Sequence, residues 1–161
     1  MRVTHTFSQD IQTVFKTLTD PEFLKQRAIA LGSVKASCES DASDHDCKLT
    51  LVRERKINVP GVLSAFVKSV QIATTEEHWS LDGDQYECTN TTEIDGAPLS
   101  IKGSMTLSPN ASGCTFSANF ETKARIMFGK KNLQQYAAKT IAKELELECE
   151  YTAKHLDSAT A

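Results

Sequence analysis

Residues 75–106 read TEEHWSLDGDQYECTNTTEIDGAPLSIKGSMT. Two Asp-Gly pairs, Asp82-Gly83 and Asp95-Gly96, each sit between runs that alternate apolar and polar, the strongest short-range signal for a β-hairpin. Taken as two-residue loops, they set a register. Trp79 then faces Tyr86, Glu77 faces Cys88 and Thr75 faces Asn90. Across the second turn, Tyr86 faces Met105, Cys88 faces Gly103, Asn90 faces Ile101 and Thr92 faces Leu99. Both turns put the same parity on one face, and that face is the apolar one, so the segment predicts three antiparallel strands. The other face (Glu87, Thr89, Thr91, Glu93, Lys102, Ser104, Thr106) is polar and solvated.

The pattern extends in both directions. Downstream, Cys114, Phe116, Ala118 and Phe120 predict a further strand facing inward. If Met105 faces Phe116, one row across the sheet reads Glu77, Cys88, Gly103, Ala118: three small residues beside a carboxylate. Leu133, Ala137, Ile141 and Leu145 then recur at helical spacing, predicting a long helix from about Asn132 to about Leu156. Upstream, Val3, His5 and Phe7 alternate as a half-buried strand. Ser8 is a candidate cap for a helix carrying Ile11, Val14, Phe15 and Leu18 on one face. Asp20-Pro21-Glu22 starts a second short helix that Gly32 stops. Val34, Ala36 and Cys38 open a strand, Glu39 to Asp46 reads as an acidic loop, and Cys47, Leu49 and Leu51 form the next strand. Its charged end, Arg53 to Lys56, is expected to be exposed. After Pro60-Gly61, the spacing of Val62, Leu63, Phe66 and Val67 predicts a helix of one to two turns.

Bulk properties limit the function classes. A chain of 161 residues is most simply one domain, 1–161. Its net charge of −3 gives no basic excess for nucleic acid, and no stable membrane insertion is expected because no apolar run is long enough. The expected location is the cytoplasm. There Cys38, Cys47, Cys88, Cys114 and Cys149, which contain no CxxC pair, read as small buried hydrophobes. The potential ligands Cys38, Asp44, His45, Asp46 and Cys47 match no standard zinc spacing. No nucleophile elbow, phosphate loop or dinucleotide fingerprint is present, so neither metal nor cofactor is expected.

The element order is a strand, two helices, six strands and a long C-terminal helix. It resembles the α+β helix-grip fold of the START/Bet v 1-like (SRPBCC) superfamily. Within it the chain resembles the DUF2505 family. The likeness rests on Val3-Thr4-His5-Thr6-Phe7 through Phe15, on Glu77-His78-Trp79, and on Ile126-Met127-Phe128-Gly129-Lys130. In many relatives a proline and paired glycines lead into the last helix, whereas Met127-Phe128-Gly129-Lys130-Lys131 has one glycine and no proline. The resemblance implies a curved antiparallel sheet of about seven strands round the last helix. It also implies an internal cavity for a hydrophobic or amphipathic ligand, since superfamily members bind lipids, sterols, quinones, polyketides or plant hormones and a minority are enzymes; for this chain a lipid, quinone or isoprenoid is expected.

The expected lining is Phe7, Glu77, Trp79, Tyr86, Asn90, Gly103, Met105, Phe116, Phe120, Leu133, Tyr136 and Ile141. The same aromatic and methionine side chains also suit a solid core. The small row of Cys88, Gly103 and Ala118 leaves volume to be filled, either by close helix packing or by a pocket with Glu77 at its rim. Carriage of a small hydrophobic ligand is the leading expectation. A cyclase or hydrolase using Glu77, His5 or Tyr136 as acid–base group is the alternative, as is a protein-interaction module. His5 reads first as a core histidine. The Val62–Val67 segment reads either as a lid over the cavity or as a static element. Lys123, Arg125, Lys130 and Lys131 read as a solvated strand end.

Overall fold

The computed structural model describes residues 1–160. Its chain order is β1 (Arg2–Phe7), α1 (Ile11–Leu18), α2 (Pro21–Ala30), β2 (Lys35–Ala42), β3 (Asp46–Lys56), a 3-10 turn (Gly61–Leu63), β4 (Val70–Asp82), β5 (Gln85–Asp95), β6 (Leu99–Asn110), β7 (Gly113–Ala124) and α3 (Lys130–Thr160). The seven strands form one antiparallel sheet in the order β1-β7-β6-β5-β4-β3-β2. Only β1 is out of sequence, pairing with β7 across the two short helices. This is the helix-grip arrangement. No helix among the described residues is long and apolar enough to cross a membrane.

The short helices are set by their caps. Asp10, not Ser8, caps α1, its carboxylate accepting from the Thr13 amide at 3.0 Å. Ser8 instead reaches Asp157 on α3. Asp20 caps α2 by accepting from the Glu22 and Phe23 amides, with Pro21 in the first turn. β2 runs on to Ala42, so the acidic segment from Glu39 is mostly strand and the turn is confined to residues 43–45. An edge strand half in solvent tolerates polar residues, which is why the composition reads as a loop. After Pro60 the backbone makes a 3-10 turn rather than an α-helix. It buries Leu63 and Val67 and leaves Val62 and Phe66 exposed.

Both hairpins read from Asp-Gly turns are displaced by two residues from the expected register, and so is the β6–β7 pair, where Met105 lies opposite Ala118 rather than Phe116. Asp82 pairs with Gln85, so the first loop is Gly83-Asp84, with Gly83 at φ 63°. Glycine in the left-handed region at the first loop position suits the twist of the flanking strands. The second loop is Gly96 to Pro98, where proline offers no ladder donor. The third is Ala111-Ser112, closed by the Asn110 side chain on the Ser112 amide at 2.9 Å. A slip of two preserves which face each residue occupies. It changes every cross-strand neighbour.

Beyond the row of Leu81, Tyr86, Leu107, Phe116 and His5, the inward face therefore has four successive rows. Cys47, Trp79, Cys88, Met105, Ala118 and Val3 form one. Leu49, Glu77, Asn90, Gly103 and Phe120 form the next, followed by Leu51, Thr75, Thr92, Ile101 and Thr122, and then by Arg53 and Ala73 leading to Ile94. The expected row of Glu77, Cys88, Gly103 and Ala118 does not exist. Apolar rows flank a polar band. The flanks belong to two separate hydrophobic clusters. The larger holds Phe7, Val14, Phe15, Trp79, Tyr86 and Leu107; the smaller holds Leu63, Val67, Leu99, Ala124, Leu133 and Ala137.

The 31-residue helix α3 starts two residues earlier than its apolar pattern suggests, with the Leu133 amide donating to the Gly129 carbonyl at 3.0 Å. Gln134 ties this start to β7: its backbone carbonyl accepts from Thr122 and its side-chain carbonyl from the Ala124 amide, both at 3.1 Å. The helix lies close to β7 and β1, with α1 and α2 against it further along. It spans the polar band without filling it.

Candidate functional site: an internal cavity with a polar floor

Between α3 and the sheet lies a cavity of about 350 Å³. Its floor is the polar band. Thr75 and Thr92 are buried and hydrogen-bonded to one another at 2.8 Å. Glu77 accepts from the Trp79 indole N–H at 2.8 Å. Asn90, opposite Glu77, has a buried Oδ1 with no hydrogen-bond partner. Gly103 stands beside it. A Cβ there would come within 2.5 Å of Asn90 Oδ1 and 2.8 Å of the Asn119 carbonyl. The glycine thus makes room for the amide.

Of the twelve residues expected to line a cavity, Phe7, Glu77, Trp79, Asn90, Met105, Phe116, Phe120, Leu133, Tyr136 and Ile141 border it. Tyr86 does not. Its ring stacks on Phe15 at 3.7 Å between centroids and its hydroxyl donates to Gln12 at 3.1 Å, so it belongs to the large core. The two-residue slip explains the error, because Tyr86 lies opposite Leu107 rather than Met105. Gly103 is beneath the floor and shapes it through Asn90. His5, the other histidine of interest, lies off the cavity, against Phe7 at 4.7 Å. The Tyr136 hydroxyl points to the rim, donating to the Asn58 carbonyl at 3.4 Å.

One group of cavity residues escaped the sequence reading. Arg53 and Arg55 are not an exposed strand end. Arg53 donates to Glu148 at 3.1 Å, Arg27 from α2 donates to the other Glu148 oxygen at 3.0 Å and to Thr152 at 3.2 Å, and Arg55 pairs with Glu144. All five charged side chains are at most a quarter exposed, and all five border the cavity. These pairs span from β3 and α2 to α3 and wall one side of the hollow. The signal was present. Arg53 and Arg55 have the parity of the buried Leu49 and Leu51, and Glu144 and Glu148 continue the helical stripe of Leu133, Ala137 and Ile141.

The electrostatics follow from this wall. Burial opposes ionisation of Glu148, but the guanidiniums of Arg27, Arg53 and Arg55 outweigh it and hold its carboxyl below the usual range. Glu77 is the reverse. Burial pushes its pKa up, and the Trp79 hydrogen bond and the more distant Arg27 only partly offset this. Its carboxyl is the member of this set that favours a proton. Burial raises the thiols as well, Cys38 up to about 11 and Cys149 up to about 12, in keeping with their role as small apolar residues.

An antiparallel sheet wrapped round a long helix, with a cavity between, is the helix-grip fold and is consistent with the SRPBCC type. Solved structures with this fold include an uncharacterised protein from Rhizobium leguminosarum, 10% identical, with 98% of this chain and 93% of that one covered at a TM-score of 0.58. A protein from Mycobacterium smegmatis is 9% identical over 98% of this chain and 90% of that one, with a TM-score of 0.57. The di-domain ARO/CYC protein StfQ of the steffimycin biosynthetic pathway is 14% identical over 98% of this chain and 46% of that one, with a TM-score of 0.54. At these identities the likeness is one of fold. No curated protein matches the chain. The family described as a protein of unknown function (DUF2505) matches residues 2–156, and the chain belongs to that family.

Proposed function

We propose that the chain binds a compact amphipathic molecule in this cavity, its apolar body against Trp79, Met105, Phe120 and Leu133 and its polar end on the floor at Glu77 and Asn90. The observation that carries the reading is the partnerless Asn90 Oδ1 on the cavity floor, with Arg53 Nε in the wall the other buried polar atom of the lining that has no partner. A buried acceptor without a partner costs about 1–3 kcal/mol, which a ligand hydroxyl, amide or water would offset. The volume of about 350 Å³ falls at the lower end of the roughly 300–1,000 Å³ usual for ligand pockets, which favours a single-chain or compact-ring lipid, quinone or isoprenoid. Affinity comes from apolar burial at roughly 25 cal/mol per Å², with the floor fixing orientation. A cytoplasmic carrier or sequestering protein fits this chemistry.

Native mass spectrometry of the protein purified from its own cells tests the reading directly. An apolar mass that leaves on organic extraction supports it. Trp79 is the only tryptophan and borders the cavity, so its emission reports filling. Thr140→Phe, which projects a ring from α3 into the hollow, is expected to abolish uptake of an apolar probe in a folded protein. Unchanged uptake by that variant rejects this cavity as the site.

A second reading, acid–base catalysis of cyclase or hydrolase type, is favoured by one observation: Glu77 is half-buried at the cavity, where desolvation raises its pKa. Of the other two candidates, His5 lies off the cavity and the Tyr136 hydroxyl is turned to the rim. Under this reading Glu77→Gln abolishes turnover yet keeps ligand affinity; under carriage alone there is no turnover to lose.

A further inference from the structure

The end of the molecule farthest along α3 from the Arg27–Glu148 pair gathers three loops. Residues 57–69, 96–98 and 125–129 are tied together by the Lys68 amide on the Gly96 carbonyl at 2.7 Å and the Arg125 amide on the Pro98 carbonyl at 2.8 Å. A Cβ at Gly129 would stand 3.8 Å from the Phe66 ring. On these loops are the most exposed large apolar side chains of the described residues: Met127 at 91%, Val62 at 81% and Phe128 at 80% exposure. Residues 56–69, 95–98 and 123–131 carry six basic side chains (Lys56, Lys68, Lys123, Arg125, Lys130 and Lys131) against the acid Asp95, and Glu93 just outside them pairs with Arg125 at 3.2 Å, which leaves the five lysines as the main positive charge. All six are exposed. The remainder of this net-acidic chain therefore carries a net charge of −8. The cavity extends to this end, bordered there by Ile57, Asn58, Ala97 and Tyr136.

We propose that this loop end docks reversibly on an anionic lipid bilayer, Met127 and Phe128 entering the interface while the neighbouring lysines meet the headgroups. Exposed apolar side chains on the same loops as exposed lysines suit a deformable, negatively charged surface. The acidic remainder of the molecule turns that end toward such a surface at a distance. A second copy of the chain presenting the same end would bring the same positive charge and be repelled. Docking brings the cavity's loop end to the membrane. The inference goes beyond the carrier reading and stands or falls on its own, since no cavity occupant is required.

The test is sedimentation with vesicles of phosphatidylcholine alone and of phosphatidylcholine with about one-third phosphatidylglycerol. The wild-type chain is expected to partition onto the mixed vesicles and to dissociate as salt is raised. Met127→Ser/Phe128→Ser should lower that partition by about tenfold or more. Lys130→Glu/Lys131→Glu should remove the preference for phosphatidylglycerol. Both pairs are exposed, so unchanged thermal melts verify that the variants fold. No partition by wild type, equal partition onto both vesicles, or variants that bind as well as wild type each overturn docking. So does a dimer, seen by light scattering without lipid, that the serine variant abolishes. Vesicle binding with an empty cavity refutes carriage alone; a filled cavity without vesicle binding refutes docking alone.

Discussion

The molecule has two hydrophobic cores of unequal quality. The large one joins α1, α2 and the end of α3 to the row of Trp79, Cys88, Met105 and Ala118 and to the strand ends beyond it, and it buries Phe7, Val14, Tyr86 and Leu107 almost completely. The small one joins the start of α3 to Leu63, Val67, Leu99 and Ala124 beneath exposed loops. Between them the sheet carries Thr75, Glu77, Asn90 and Thr92, all polar, with Gly103 beside them. A helix that must satisfy both cores cannot also collapse onto that band, because dry closure over an unpaired amide and a carboxylate would cost more than it gains. The hollow is the consequence of putting polar residues between two apolar anchors on one face.

Removing an anchor should expose the inequality. Leu107→Ala is expected to destabilise the fold by about 3–4 kcal/mol, whereas Leu63→Ala should cost about 2 kcal/mol, because loops can settle where a strand centre cannot. Chemical denaturation of both variants measures this. Equal losses would mean the two cores form one cooperative unit of equal packing. Next in size is the charged wall. Glu148→Gln leaves Arg27 and Arg53 in a half-buried site without a counter-charge and should cost about 3 kcal/mol at neutral pH. Because the Glu148 carboxyl lies below its unfolded value of 4.5, its contribution is fully present above that pH and is lost as pH falls through the native pKa. The variant's deficit should therefore shrink on acidification in urea melts followed from pH 7 downward. A deficit independent of pH would show that shape, not charge, holds the wall.

How much of this was legible in the sequence depends on which physical signal each feature uses. Faces were legible, because period-2 alternation is written in every strand and a slip of two leaves it intact. Neighbours were not. Aspartate-glycine is a strong turn signal, but at 82–85 the glycine takes the first loop position rather than the second, and at 95–98 proline lengthens the loop. That difference moved Cys88 from Glu77's row to Trp79's and took Tyr86 out of the cavity, and the short Ala111-Ser112 loop moved Ala118 likewise. The charged wall was legible by parity and lost to composition. A run of Arg53, Glu54, Arg55 and Lys56 reads as solvated unless its alternation is carried through from Leu49 and Leu51. The buried partners at Glu144 and Glu148 lie about 90 residues away, and no local pattern joins them.

The polar band itself can be perturbed with less damage. Gly103→Ala places a methyl where Asn90 Oδ1 and the Asn119 carbonyl leave no room, and overpacking of this kind costs about 1–3 kcal/mol. A second change, Asn90→Ala, should recover part of that loss by removing the amide, and the remainder is the clash with the Asn119 backbone. A double-mutant cycle in denaturant separates the two. Full additivity would mean that Gly103 and Asn90 do not share the space, and the floor would need a different explanation.

The smallest expected effect is also the most specific to the hollow. Glu77 has a native pKa above its unfolded value of 4.5. A carboxyl shifted this way contributes its stability while protonated, fully below the unfolded pKa, and loses it as pH rises through the native pKa. Ionised Glu77 is then a charge that burial penalises and that Arg27 and Arg53, already engaged by Glu148, only partly compensate. Glu77→Gln keeps an oxygen for the Trp79 indole and cannot ionise. It is expected to be more stable than wild type on the alkaline side by on the order of 1 kcal/mol, and indistinguishable from it well below pH 4.5. Thermal melts of the two proteins across that range decide the point. If the curves instead diverge toward acid, the carboxylate is stabilised where it stands, and the band between the two cores is wetter and more charged than a floor for an amphipathic ligand requires.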